Sequence, residues 1–276
     1  MIPFPFAYYA AETLDEALSA YQECAGRGET PLYAGGGTEI ITMGRVNSLS
    51  FDALISLKAI PELAGLLRAD GRLILGAGET LNAIACWNAF PLLSKCCARV
   101  ADHTAQCKIT LGGNIAGTVI YHEALLPLLL SDAQAELYGP GGHRAAPLAS
   151  LFTPGLSLKP GEFFVRFSLA ESKTGLPFVH AKHVNSEKIG YPLLTLAAIR
   201  EGDTVTAAIS GLYRYPLLLR FPYTGVLAAR LEMEAQLSSQ LPGPPLDDLM
   251  GTGAYRLFWL QELLAAMMER FLKEAS

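Results

Sequence analysis

Two periods of apolar residues organise the first sixty positions. Phe6 to Ala10 predicts a short strand, and from there Leu14, Ala17, Leu18, Tyr21 and Cys24/Ala25 fall at the i, i+3, i+4, i+7 spacing of one helix face. Thr13 and Glu16 form a capping box that starts this helix, and Gly26 stops it. Pro31 to Ala34 predicts the next strand, completing a βαβ unit with a right-handed crossover. The loop AGGGTE at 34–39 therefore leaves the carboxyl end of a strand, the edge where open α/β sheets receive ligands.

Further on, Ala53 to Leu57 and Arg72 to Gly76 predict strands, and Leu81 to Ala89 and Leu92 to Val100 predict helices. Ile109 to Leu111 is a short strand-like stretch leading into the turn TLGGN. Ala124 to Ser131 is a core helix. Ala135 to Tyr138, the turn GPGGHR and Glu162 to Leu169 make an antiparallel finish to this part. The polar, turn-forming ESKTGLP at 171–177 marks a boundary. Beyond it Phe178 to Val184, Leu193 to Ile199 and Thr204 to Ser210 predict an antiparallel meander with EGD at 201–203 as a hairpin turn. Helices near 224–239 and 253–273 close the chain, and there is no internal repeat.

Neither glycine loop is the dinucleotide fingerprint GxGxxG or the nucleotide-binding GxxxxGK[ST]. Both offer runs of backbone N–H groups with no Cβ in the way, suited to pyrophosphate oxygens, and Thr38, Thr110 and Asn114 add short polar side chains at the same edges. Two such loops in one domain point to a diphosphate-bearing ligand.

Composition narrows the class. The net charge of −5 comes without any Lys/Arg-rich stripe, which argues against polynucleotide binding. Apolar residues reach 51% against 17% charged, a hint that partners cover part of the surface. No membrane-length apolar run and no signal peptide are evident, so a cytoplasmic protein is expected. Five cysteines without a CxxC pair argue against a disulfide framework and a protein-borne metal site. His180 and His183 sit three apart on an expected strand and so face opposite ways, unsuited to sharing a metal. No GxSxG occurs and no Cys has a nucleophile context.

AGGGTEI at 34–40, ITLGGNIAG at 109–117, Glu123 nine residues after Asn114, FVHAK at 178–182 and AYR at 254–256 resemble the FAD-binding subunit of the molybdenum hydroxylases. That family includes the flavin portion of xanthine dehydrogenase and the medium subunit of carbon monoxide dehydrogenase. The resemblance runs in order over nearly the whole chain. It implies an α+β fold: a two-lobed FAD-binding domain of the PCMH, vanillyl-alcohol-oxidase-like kind over 1–172, with lobes 1–57 and 58–172, then a small C-terminal α+β domain over 173–276 with an antiparallel sheet.

By the same resemblance Ala34, Gly35, Gly36, Gly37, Thr38, Glu39 and Ile40 form one FAD loop, and Thr110, Gly112, Gly113 and Asn114 the other. Val100 and Ala101 line the pocket, Glu123 stands where the family usually has an Asp facing the ribityl chain, and Lys182 lies close to the cofactor, where a cation favours anionic reduced flavin. The implied function is electron transfer through non-covalent FAD, with no catalytic side chain in this chain. A molybdopterin-binding large subunit and a small [2Fe–2S] subunit are the implied partners, and NAD or another molecule the acceptor. The sequence departs from the pattern at Val119 and Ile120, where the family usually has Ser or Thr followed by Pro, at VNSEK after the lysine, and at SGLYRYP in the C-terminal part. Two alternatives stay open: a scaffold subunit of such a complex with lost or weak FAD binding, and a stand-alone flavin reductase like the enolpyruvyl-sugar reductases.

Overall fold

The first lobe is built on β1 (Ala7–Ala10), α1 (Leu14–Gly26), β2 (Pro31–Ala34), α2 (Thr38–Arg45) and β3 (Ala53–Ser56) of a computed structural model that describes residues 2–152, 155–184, 190–223 and 229–274. Helix α1 starts as its capping box dictates: Thr13 Oγ1 accepts from the Glu16 N–H at 3.2 Å, and the Glu16 carboxylate reaches back to the Glu12 N–H at 2.8 Å. The three strands form a parallel sheet in the order β1-β3-β2, with Tyr9 and Tyr33 both opposite Ile55. The strand–helix–strand unit therefore steps over an intervening strand. That central place explains why all four residues of β3 are buried. Helix α2, which follows the AGGG turn directly, is absent from the sequence expectation because its eight residues carry no long apolar period.

The second lobe adds β4 (Leu66–Ala69), β5 (Arg72–Gly76), α3 (Leu81–Trp87), α4 (Pro91–Cys97), α5 (His103–Gln106), α6 (Leu111–Ala116), α7 (Leu125–Leu130), β6 (Gln134–Gly139), β7 (Gly142–Pro147) and β8 (Phe163–Ala170). Its five strands form an antiparallel sheet in the order β4-β5-β8-β6-β7. On β6, Ala135, Leu137 and Gly139 point inward, while Glu136 pairs with Arg166 across the outer face. The main core lies between this sheet and helices α3, α4, α6 and α7. TLGGN differs from the expected strand-to-turn step: Thr110 is the N-cap of α6, accepting from the Gly113 N–H at 3.2 Å.

The C-terminal part is the expected meander with one further strand. Strands β9 (Phe178–Val184), β10 (Pro192–Glu201), β11 (Thr204–Ser210) and β12 (Leu217–Pro222) lie in the order β12-β11-β10-β9, accompanied by α8 (Ala229–Gln240) and α9 (Gly253–Glu274). VNSEK from 185 onward and residues 224–228 of the expected first closing helix lie outside the described residues. Helix α9 covers one face of the sheet, where Leu194, Leu196 and Ala198 meet Leu260, Leu264 and Phe271. Helix α7 of the second lobe covers the other face, over Ala197, Ile199 and Ala208. Coverage on both sides explains the unbroken burial of β10 from Pro192 to Ile199. Among the described residues no helix is long and apolar enough to cross a membrane.

Candidate functional site

The glycine loops meet each other across the two lobes. A Cβ on Gly35 would overlap Thr110 Oγ1, and one on Gly36 would overlap the carbonyl oxygen of Lys108. The backbone at 35–36 thus lies directly on residues 108–110, closer than any side chain permits. Gly37 has φ 69°, the left-handed conformation glycine tolerates, and turns the chain into α2.

The two loops are not equivalent in what they offer a ligand. No side chain caps α2, so the N–H groups of its first turn, at Thr38, Glu39 and Ile40, have no intrahelical partner; Ile41 is the first to be taken, by the Gly37 carbonyl at 2.9 Å. With the positive end of the helix dipole behind them, those donors favour a diphosphate. In TLGGN the donors are already used. Leu111 N–H donates to Glu79 O and Gly112 N–H to Ala77 O, both at 2.8 Å, and Asn114 N–H donates to Thr110 O at 2.8 Å. Gly112 is buried against Ala77, whose Cβ would lie 2.9 Å from an added one, whereas Gly113 is exposed and an added Cβ would meet only Thr110 Oγ1, at 2.8 Å. TLGGN therefore supplies an open, side-chain-free surface rather than a second nest of donors. These features fit the diphosphate of a dinucleotide on the α2 turn with Gly113 beside it.

Thr110, Asn114 and Glu39 serve the loops internally. Asn114 Oδ1 accepts from the Ala124 N–H at 3.2 Å, and its carbonyl accepts from His122 Nδ1 at 3.0 Å, which fixes the proton on that nitrogen. Glu39 Oε1 accepts from both the N–H and the hydroxyl of Thr118, at 2.8 and 2.5 Å. Thr118 was invisible as a site residue by its type alone.

A second cluster gathers Glu123, Lys182, Val100 and Ala101. Glu123 is 2% exposed; its carboxylate accepts from Lys182 Nζ at 3.0 Å and from Thr195 Oγ1 at 2.8 Å. Lys182 also donates to the Arg99 carbonyl at 2.8 Å, beside Val100, which is nearly buried, and Ala101, which holds φ 49°. Lys182 and Thr195 are cross-strand neighbours on β9 and β10, so the sheet itself aims both at Glu123. Burial pushes the Glu123 carboxyl above the usual carboxylate range, while Lys182 and Thr195 pull the other way. The sequence signal for Thr195 is that it is the one polar residue in the apolar run PLLTLAAI.

His180 lies two residues from Lys182 on the same face of β9, and His183 faces the other way, stacked on Trp259 with ring centroids 3.5 Å apart. His180 is buried with both ring nitrogens unpartnered, and burial, then Arg99, Lys95 and Lys182, holds its pKa down to about 4. A depressed value means the folded state binds fewer protons than the unfolded one, so stability is lost as pH falls from 6.5 to about 4. That gap is worth about 3 kcal/mol. His180→Leu is expected to remove this loss, measured by urea unfolding at both ends of the range; equal slopes for the two proteins would refute it.

Residues 4–169 match the model of the family described as "FAD binding domain in molybdopterin dehydrogenase". The chain belongs to this family. Among curated relatives of this FAD-domain family, the carbon monoxide dehydrogenase medium chain of Hydrogenophaga pseudoflava is 25% identical over 55% of this chain and 53% of that protein. The xanthine dehydrogenase FAD-binding subunit of Escherichia coli O157:H7 is 26% identical over 71% of this chain and 68% of that protein. The first match thus spans about half of its relative's length. Among solved structures, quinoline 2-oxidoreductase from Pseudomonas putida 86 superposes with TM-score 0.85 at 18% identity, covering 100% of this chain and 99% of that one. Carbon monoxide dehydrogenase from Hydrogenophaga pseudoflava gives TM-score 0.83 at 21% identity, covering 98% of each. At these identities the superpositions establish a shared α+β fold, which includes the C-terminal sheet beyond the family match.

Proposed function

We propose that this chain is the FAD-carrying electron-transfer subunit of a xanthine dehydrogenase-like molybdenum hydroxylase. A small subunit with [2Fe–2S] clusters would deliver electrons, NAD or another molecule would accept them, and a molybdopterin-binding large subunit would oxidise the substrate, all in the cytoplasm. The observation that carries the reading is the uncapped first turn of α2, opening at the carboxyl edge of a parallel sheet beside exposed Gly113 in a chain of the FAD-domain family. When bound, FAD supplies the redox chemistry.

This chain's residues bind and orient the cofactor. Gly35 and Gly36 let the loop close against the other lobe, Gly37 turns the chain into α2, and the N–H groups of Thr38, Glu39 and Ile40 would face the diphosphate. Ala34 and Ile40 flank the turn, and Thr110, Gly112, Gly113 and Asn114 form the opposing edge, with Val100 and Ala101 further along. We take the FAD-binding domain to be 1–172 and the C-terminal domain 173–276, a division supported by the short turn Glu171–Lys173 that follows β8. A second reading, a scaffold subunit with weak flavin binding, is favoured by the internal use of the TLGGN donors.

Gly113→Val separates the two. Its side chain disturbs the Thr110 cap, worth about 1 kcal/mol of stability, but fills the surface left open for the cofactor. FAD affinity is expected to fall about a hundredfold, or roughly 2.7 kcal/mol, in a protein that still melts cooperatively. A purified wild type without flavin absorbance that also fails to take up added FAD supports the scaffold. A Gly113→Val variant with full flavin content makes TLGGN a structural turn only.

A further inference from the structure

Between Thr118 and Glu123 every side chain but those of Val119 and Ile120 reaches a different part of the fold. Thr118 bonds Glu39 in the first turn of α2, in the first lobe. His122 bonds the Asn114 carbonyl in α6. Tyr121 stacks on Tyr191, at the entry to β10, with ring centroids 5.1 Å apart. Glu123 enters the C-terminal sheet between Lys182 and Thr195. Six consecutive residues thus tie the diphosphate turn at one end to the C-terminal sheet at the other.

We propose that residues 118–123 are a strap that sets the flavin loop from the C-terminal sheet, in which Glu123 and Thr118 are positioning residues that do not touch the cofactor. The inference rests on the FAD reading above. Glu123 has both carboxylate oxygens engaged, Oε1 by Thr195 and Lys182 and Oε2 by Lys182 at 3.2 Å, and is sealed from solvent, so a ribityl hydroxyl has no route to it without breaking the pair. A buried carboxylate is tolerable only while its cation is present. Seating the strap therefore requires β9 and β10 to be docked. At the other end, Thr118 holds the carboxylate of Glu39, the second residue of α2, and through it the orientation of the turn that carries the free donors.

The test uses the full chain, with FAD as the titrant followed by flavin fluorescence, and the melting temperature of each apo variant as a separate readout. Lys182→Met leaves Glu123 buried and unpaired, and FAD affinity at about pH 8 is expected to fall about tenfold or more. Glu123→Gln combined with Lys182→Met removes the charge as well as its partner, and affinity is expected within about threefold of wild type. Lowering the pH from about 8 toward about 6 is expected to raise the affinity of the single variant relative to wild type and the double variant, because burial without the lysine favours the neutral carboxyl. The groups facing that carboxylate are Lys182 on β9, Thr195 on β10, and Arg99, Cys96 and Cys97 at α4. Nearby His180 stays neutral over this range. Thr118→Val, which cuts the other end, is expected to weaken FAD about tenfold with little change in melting.

A double variant weaker for FAD than Lys182→Met alone would make Glu123 and Lys182 direct cofactor ligands and overturn the strap. So would lowered melting temperatures with unchanged FAD affinity. A wild type that binds no FAD at all overturns the flavin reading and the strap with it, whereas a wild type that binds FAD beside variants of equal affinity sinks only the strap.

Discussion

Arg256→Ala is expected to lower the stability of the chain by about 3–5 kcal/mol, from truncating a fully buried side chain and stranding the buried acceptors it serves, and with it the melting temperature by roughly 10 °C. Arg256 is fully buried at the start of α9. Its Nη1 donates to the carbonyls of Leu193 and Gly211, at 2.9 and 2.5 Å, and its Nη2 to Asp248 at 2.6 Å. One guanidinium thus joins the start of β10, the turn after β11 and the segment leading into α9. Alanine leaves two buried carbonyls without donors and removes the packing of the longest side chain in that core. Arg256→Lys is expected to recover little, because an ammonium cannot span the three acceptors as the planar fork does. Urea and thermal unfolding read the effect. A loss under about 1 kcal/mol would mean that the cluster is solvated in the folded protein and that α9 docks by its apolar face alone.

The second large effect is at Gly36. Any Cβ there overlaps the Lys108 carbonyl and crowds the Ile109 Cα, 3.2 Å away, and both are backbone atoms with no rotamer to yield. Gly36→Ala must therefore pry the lobes apart at the point where the two glycine loops touch. The expected cost is about 3 kcal/mol or more, the upper end for overpacking, together with the loss of measurable FAD binding, because the turn carrying the free N–H groups moves with it. Gly113→Ala is the control. Its Cβ meets only the cap hydroxyl, so stability is expected to change by about 1 kcal/mol. Calorimetry of the two alanine variants should separate them sharply in stability. A Gly36→Ala protein with wild-type melting and flavin content would mean that the lobes do not approach at 36 and 108.

The same contrast shows why the glycines needed a structure. In the sequence, Gly35, Gly36, Gly112 and Gly113 all look like room for a ligand. In the fold the first two are room for the other lobe, Gly112 is room for Ala77, and only Gly113 faces outward.

Local chemistry determined a good deal from the sequence alone. The Thr13–Glu16 box, the 3.6-residue period behind it and the glycine stop define α1 because caps and helix faces involve residues within a few positions of each other. The alternation and turns beyond residue 177 define the meander for the same reason, and the ordered motifs pointed to the FAD-domain family. Tertiary structure alone decided the placement of β3 between β1 and β2 and the consumption of the TLGGN donors by Glu79 and Ala77. It alone decided the capture of Glu123 by Lys182, 59 residues away, and by Thr195, 72 residues away. No periodicity records such pairs. A carboxylate reads the same on paper whether it meets water, a ribityl hydroxyl or a lysine, and what distinguishes the three is the exclusion of water when the end of α4 and the C-terminal sheet close around it.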